Sequence, residues 1–260
     1  MSAFFDEFDL HASDEIGVAE SSARLPQLTQ RRPARQVVTR SPHRSVFRVQ
    51  VSTDEGRSAV QAESGLERDF LRVATLAPVP IAAVVEQPRT FEAPDPETQG
   101  WVRYTPDFQI DFVDGSSVCI EVKPRAHLRG SWKRFDSIRC HLRSLGHPLV
   151  FITDHALRLT RRVHLSSAWH RYRNHSVSAA RLHRIERAVR NAPSGITLHE
   201  LRRRTGVESR EIAHAVANRR IYLCGGLEYS TNAVLRPSVD QSKGEQHAIQ
   251  FQRWLNDPAG

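Results

Sequence analysis

Two short runs, 104-YTPDFQIDF-112 and 117-SVCIEVKP-124, carry Asp107, Glu121 and Lys123 in strand-like segments where threonine or serine would be ordinary. Side chains alternate faces along a strand. Val118, Ile120 and Val122 therefore share one face, and Cys119, Glu121 and Lys123 the other. In the first run Phe108, Ile110 and Phe112 oppose Asp107, Gln109 and Asp111. Two carboxylates and an ammonium on one patch suit phosphodiester hydrolysis. Carboxylate oxygens hold Mg²⁺, which neutralises the scissile phosphate and lowers the pKa of a bound water. The lysine orients that water or helps to deprotonate it. Nothing in the patch is an obvious covalent nucleophile, so direct attack by water is the matching mechanism. The same residue types also form plain surface ion pairs, worth less than about 1 kcal/mol, and P-D…E-x-K is a short pattern.

Whether the two ionisable faces coincide depends on the loop between the runs. A two-residue turn at Asp114-Gly115 would set Asp107 and Glu121 on opposite faces. A three-residue loop, Asp114-Gly115-Ser116, pairs Val113 with Ser117 and puts Asp107 across from Lys123, with Glu121 on the next same-face diagonal. The apolar faces also coincide only for an odd loop. An odd loop is therefore expected, with Gly115 or Ser116 in the unusual backbone region.

The surrounding elements must hold this hairpin. Order is expected from about Ser45, with a strand over 45–51 and a turn at Asp54-Glu55-Gly56. The run 64-SGLERDFLRVATL-76 puts Leu66, Phe70 and Val73 on one helical face, and 81-IAAVVEQP-88 reads as a buried strand. Residues 93–99 read as a loop rich in proline and acids. A helix punctuated by Ser131 and Gly146 and a strand over 148–154 complete a mixed sheet flanked by helices.

Asp107 after Pro106, and Glu121-Val122-Lys123 at the end of the next strand, match the P-D…(D/E)-x-K signature of restriction-like nucleases. More specifically, residues from about 57 to 155 resemble TnsA, the endonuclease subunit of heteromeric cut-and-paste transposition systems. The segments 64-SGLERDF-70, 86-EQP-88, 105-TPDF-108, 121-EVKP-124 and 150-VFITD-154 carry the resemblance, in family order. It implies a restriction-endonuclease-like α/β domain and Mg²⁺, with Mn²⁺ as substitute, held by Glu67, Asp107, Glu121 and the carbonyl of Val122. Lys123 is then the catalytic lysine. Some family members have glutamine where this chain has Glu121. Glu67 also fits a capping box with Ser64, Glu63 is a rival ligand, and Gln87 is a candidate for the edge of the site.

Composition frames the rest. Net charge is +8 and the pI about 10.1, which favours a polyanionic partner. Cys119, Cys140 and Cys224 form no C-x-x-C pair, and thirteen histidines show no metal-binding spacing. No apolar run is long enough for a membrane span, and the start lacks a signal-peptide pattern. A soluble, intracellular protein is expected, and the resemblance implies the bacterial cytoplasm, at the nucleoid when active.

Residues 1–20 carry six acids and no lysine or arginine, whereas Arg24–Arg48 has seven arginines and no acid. Residues 1–44 are therefore expected to be a disordered arm, its basic half a solvated linker in preference to a DNA contact. The nuclease domain is expected over 45–160. From Leu157 to Arg220 fifteen arginines face four glutamates. Helices over 181–192, 197–206 and 207–220, then a hairpin turning at Gly225-Gly226, give winged-helix order over 161–235. There Arg210, His214, Asn218, Arg219 and Arg220 are candidate phosphate contacts. A polar tail over 236–260, with one amphipathic patch at 248–255, closes the chain.

The resemblance implies nicking of the 5′ strands at the ends of a mobile element. A DDE-type transposase subunit would cut the 3′ strands, and an ATPase regulator would be a further partner. A stand-alone restriction or repair nuclease, and a non-catalytic DNA-binding adaptor, are the alternatives.

Overall fold

The structure, a computed structural model, describes residues 46–159, 161–237 and 245–256. The acidic and basic arm expected over 1–44 lies outside these residues. Strands β1 (Phe47–Thr53) and β2 (Gly56–Ala62) form a hairpin, followed by helix α1 (Gly65–Ala74). The central sheet contains β3 (Ile81–Glu86), β6 (Phe108–Phe112), β7 (Ser117–Lys123) and β8 (Leu149–Thr153), in the order β3-β6-β7-β8. β3, β6 and β7 pair antiparallel, and β8 runs parallel to β7. The fold is thus α/β around a mixed sheet.

Alternation decides which layer each face meets. Phe108, Ile110, Val118, Ile120 and Val122 are buried toward α1, where Phe70 stacks on Phe108 with ring centres 5.9 Å apart. The opposite face is covered as well. β4 (Phe91–Asp95) and β5 (Gly100–Tyr104) form a separate hairpin, and α3 (Trp132–Ser144) follows the short α2 (Arg125–Gly130). Phe91, Tyr104, Ile138 and Leu142 pack there around Cys119 and Leu149. Of residues 93–99, expected as a loop, 93–95 therefore belong to a strand. Buried Phe91, Ala93 and Asp95 alternate with exposed Glu92, and the turn is confined to 96–99.

A π-helical turn (His155–Leu159) and α4 (Arg162–His170) lead out of the sheet; α4 was not expected. Beyond it come α5 (Ala179–Arg190), β9 (Ile196–Thr197), α6 (Leu198–Thr205), α7 (Ser209–Ala217), β10 (Tyr222–Cys224) and β11 (Val234–Arg236). The sheet order is β10-β11-β9. Three helices and a small antiparallel sheet are present, but the connection between β10 and β11 runs from Gly225 to Ala233. It is much wider than a turn at Gly225-Gly226.

The tail is more ordered than expected. Residues 247–256 form α8 (His247–Asn256), with Ala248, Phe251, Trp254 and Leu255 buried. Phe251 meets Phe112 at 5.5 Å between ring centres. The Asp114 carboxylate accepts the His247 N–H at 2.7 Å, at the start of the helix. Buried Arg162 donates to the carbonyls of Trp254 and Leu255 at its other end, a cation against the negative end of the helix dipole. Among the described residues no helix is long and apolar enough to cross a membrane.

Candidate active site

The hairpin loop is odd, as burial of both apolar faces requires, but it comprises Val113-Asp114-Gly115. Phe112 N–H donates to the Ser116 carbonyl at 2.9 Å, and Gly115 N–H returns to the Phe112 carbonyl at 3.0 Å. Gly115 has φ +83°. A three-residue hairpin loop puts its left-handed residue last, so glycine selects this loop over 114–116, which would force Ser116 there. The Asp114 carboxylate accepts the Ser116 N–H and hydroxyl, at 3.0 and 2.6 Å.

The register therefore shifts by two and keeps its parity. Asp111 pairs with Ser117 and Phe108 with Ile120. One residue further on, Asp107 faces Glu121 and not Lys123, which corrects the expected pairing.

Asp107, Glu121 and Lys123 line one cleft of about 590 Å³ together with Glu63, Glu67, Gln87 and Tyr104. Its far wall is Arg103 from β5 and Ser131, Arg134 and Phe135 at the start of α3. Glu121 is 2 % exposed, because β5 and α3 cover its face. One of its oxygens pairs with the Lys123 ammonium, and the other accepts the Tyr104 hydroxyl at 2.8 Å. Asp107 accepts the Val122 N–H at 2.7 Å. Val122 thus touches the site through its amide, whereas the resemblance implied its carbonyl.

Glu67 comes from the first turn of α1. Ser64 caps that turn, its hydroxyl accepting the Glu67 N–H at 3.1 Å. The Glu67 carboxylate accepts the Glu63 N–H at 2.7 Å, one residue before the Ser64 amide that a capping box would use. Glu63 in turn accepts the Gln87 side-chain amide at 2.7 Å. Gln87 is buried, sits at φ +42° and donates its N–H to the Asp107 carbonyl at 2.9 Å. A non-glycine residue with this φ costs of order 1–3 kcal/mol, and such strain gathers at functional sites. Gln87 links the end of β3 to both carboxylate-bearing segments. Its place in the EQP segment hinted at the edge of the site; its backbone conformation left no trace in the sequence.

The electrostatics follow from crowding acids in a covered cleft. Burial, then the Glu121 charge, raise the Asp107 carboxyl to about 7, against the pull of Lys123 and the Val122 amide. Burial and Asp107 raise Glu67 as well. For Lys123 burial opposes the charged form, yet Glu121 and Asp107 leave its pKa above the ordinary value. Lys123 is therefore a fixed cation at neutral pH. That favours orienting water and offsetting phosphate charge over removing a proton.

Among the described residues no three His, Cys, Asp or Glu side chains stand arranged around a cation position. Glu67 and Asp107 are turned onto backbone amides, and Glu121 onto Tyr104 and Lys123. The donor chemistry still fits a hard divalent cation: oxygen donors alone, with two carboxyls raised for want of a compensating charge. Glu67 would have to leave the Glu63 amide to join Asp107.

The expected DNA contacts of the C-terminal region are not brought together. Arg219 is 6 % exposed, with φ +56°. Its guanidinium binds Asp54 and donates to the carbonyls of Thr75, Ala77 and Val79. It ties the C-terminal region to the end of α1 and is not placed to meet a phosphate. Half-buried His214 lies against Asn218, whose side-chain amide donates to the Arg173 carbonyl. Arg210 and Arg220 are exposed but paired, with Glu208 at 2.8 Å and Glu186 at 2.6 Å.

No protein-family model matches the chain, and no curated protein matches it.

Proposed function

We propose that the protein is a Mg²⁺-dependent DNA endonuclease of restriction-like architecture, cutting by attack of water on a backbone phosphate. The observation that carries this reading is the meeting of Asp107, Glu121 and Lys123 with the first turn of α1 in one cleft. The mixed sheet β3-β6-β7-β8, with acids at the open end of the β6–β7 hairpin, supports the architecture. The three helices and small sheet after α4 support a winged-helix-like second region. The resemblance of residues 57–155 adds the narrower role: nicking the 5′ strands at the ends of a mobile element, beside a DDE-type transposase subunit and an ATPase regulator.

When bound, Mg²⁺ would supply charge neutralisation for the phosphate and a lowered pKa for the water. Asp107 and Glu67 would hold it, with Glu121 adjoining. The chain's own residues do the rest. Glu121, fixed by the Tyr104 hydroxyl, positions the Lys123 ammonium. Lys123 donates to a non-bridging phosphate oxygen and offsets the charge that grows as the bond to the leaving oxygen breaks. The β4–β5 hairpin and α3 limit bulk water on that face, which strengthens each of these interactions.

The test is nicking of DNA carrying element ends, with Mg²⁺ and with or without the transposase and ATPase partners. Asp107→Ala and Lys123→Ala are each expected to lower the rate by at least about 10²-fold, the scale of removing one such group. Full nicking by either variant in the assembled system sinks the mechanism. Strong cutting by the purified chain alone would move the reading to a stand-alone nuclease.

A further inference from the structure

We propose that the α2–α3 face is the surface that receives the DNA duplex and delivers its backbone to the cleft, an inference that rests on the nuclease reading above. Residues 125–144 contain six lysines and arginines and one acid, Asp136, and that acid is held by Arg139 at 2.8 Å. Arg129, Lys133 and Arg143 are exposed.

The helix that bears this charge is also a wall of the site. Ser131, Arg134, Phe135 and Ile138 line the cleft, the i, i+3, i+4, i+7 row of one helical face. Lys133 and Arg143 lie on the side of α3 away from this row, so a duplex they hold reaches the cleft past its rim, where Arg134 and Arg103 of β5 line the wall. The platform is rigid. Ile138 and Leu142 are buried beneath α3, and the Trp132 ring meets Phe151 edge-on at 5.9 Å between centres.

Size and charge agree with a duplex. The thirteen residues of α3 extend about 20 Å, alongside roughly 12 phosphate charges counted over both strands. Arginines are paired with acids on both surfaces, Arg203 and Arg204 with Glu200 and Arg181 with Glu211 in the C-terminal region, Arg134 with Asp95 and Arg139 with Asp136 on α3. What sets α3 apart is that it lines the cleft.

The experiment is equilibrium binding of the full chain to a 30-base-pair fluorescent duplex in EDTA, followed by anisotropy across a salt series. EDTA removes hydrolysis from the readout. Three exposed cations are changed together, R129Q/K133Q/R143Q, with R210Q/R220Q as the comparison. Wild-type affinity is expected to fall steeply with salt. The triple variant is expected to bind at least about tenfold more weakly, its log–log slope shallower by about 2.7 if each cation meets one phosphate. The pair R210Q/R220Q should bind within about twofold of wild type.

Unchanged affinity and slope in the triple variant, or loss in R210Q/R220Q instead, overturns the proposal. So does absence of salt-dependent duplex binding by the wild type, which would hand this face to an acidic protein partner. The two readings separate cleanly. A chain that binds through α2–α3 but never nicks fails as a nuclease and keeps this surface. One that nicks in Mg²⁺ and ignores the triple substitution does the reverse.

Discussion

Asp107 is a single residue held at a cost in stability. Its carboxyl is raised to about 7, by burial first and by Glu121 second, against an unfolded value near 4. A raised carboxylate favours folding below the unfolded pKa and loses that contribution as pH climbs through the folded one. At pH 8 without metal, the charged Asp107 thus strains the fold. Asp107→Asn keeps an oxygen for the Val122 N–H and removes the charge. It is expected to raise the melting temperature in EDTA at pH 8 by several degrees while abolishing nicking. Mg²⁺ should stabilise the wild type by about 1.4 kcal/mol at ten times its Kd and leave the variant unmoved; differential scanning calorimetry reads both. Residue types and strand alternation were enough to bring Asp107, Glu121 and Lys123 to one patch. The contacts of Gln87 and Glu63 were not legible, since they depend on a left-handed backbone at a residue other than glycine.

At the scale of elements, parity was legible and register was not. Hydrophobic alternation fixes only whether a loop is odd, and two odd loops satisfied it here. The position of Gly115 chose between them. Gly115→Ala is expected to cost about 1–3 kcal/mol, as for other non-glycine residues held in left-handed backbone. Nothing lies within 4 Å of an added Cβ, so the cost is in the backbone alone. Gly115→Asn should cost clearly less, because asparagine tolerates that region; urea denaturation of the two variants checks the order. The β4–β5 hairpin escaped notice for a related reason. Pro94 and the acids around it look like a loop, yet Pro94 lies in a two-stranded sheet where its carbonyl accepts the Ser137 hydroxyl at 3.2 Å. Helix α4 has a weak amphipathic pattern and no side-chain cap at its start, so it leaves little punctuation to read.

At the scale of the whole molecule, the C-terminal region grips the end of α1, the helix whose first turn carries Glu67. Arg219 takes three carbonyls there, and His170 Nε2 lies 2.8 Å from the Arg72 carbonyl. A carbonyl only accepts, so Nε2 carries the proton, and Nδ1 accepts from Arg173 at 2.9 Å. Burial first, then the Arg173 charge, push this imidazole down to about 3. A histidine held neutral gives up stability as pH falls from about 6.5, where the unfolded chain protonates, toward the folded value. The His170 contribution should be flat above pH 7 and decline from pH 6.5 to 4, opposite in sign to the Asp107 contribution over the same window. His170→Gln, which keeps a donor for Arg72, should flatten part of that decline in chemical denaturation. Composition identified this region as arginine-rich, but long-range partners decide which arginines are structural, and periodicity is blind to them.

The link between Asp114 and His247 spans 133 residues. During synthesis at about 5–20 residues per second, the tip of the β6–β7 hairpin would wait roughly 7 to 27 s for α8 to emerge. Through that interval Phe112 lacks the ring of Phe251, and the nascent sheet offers an apolar end to whatever is nearby. The last helix therefore makes the order of translation matter: the strands that carry the acids are made early and closed late.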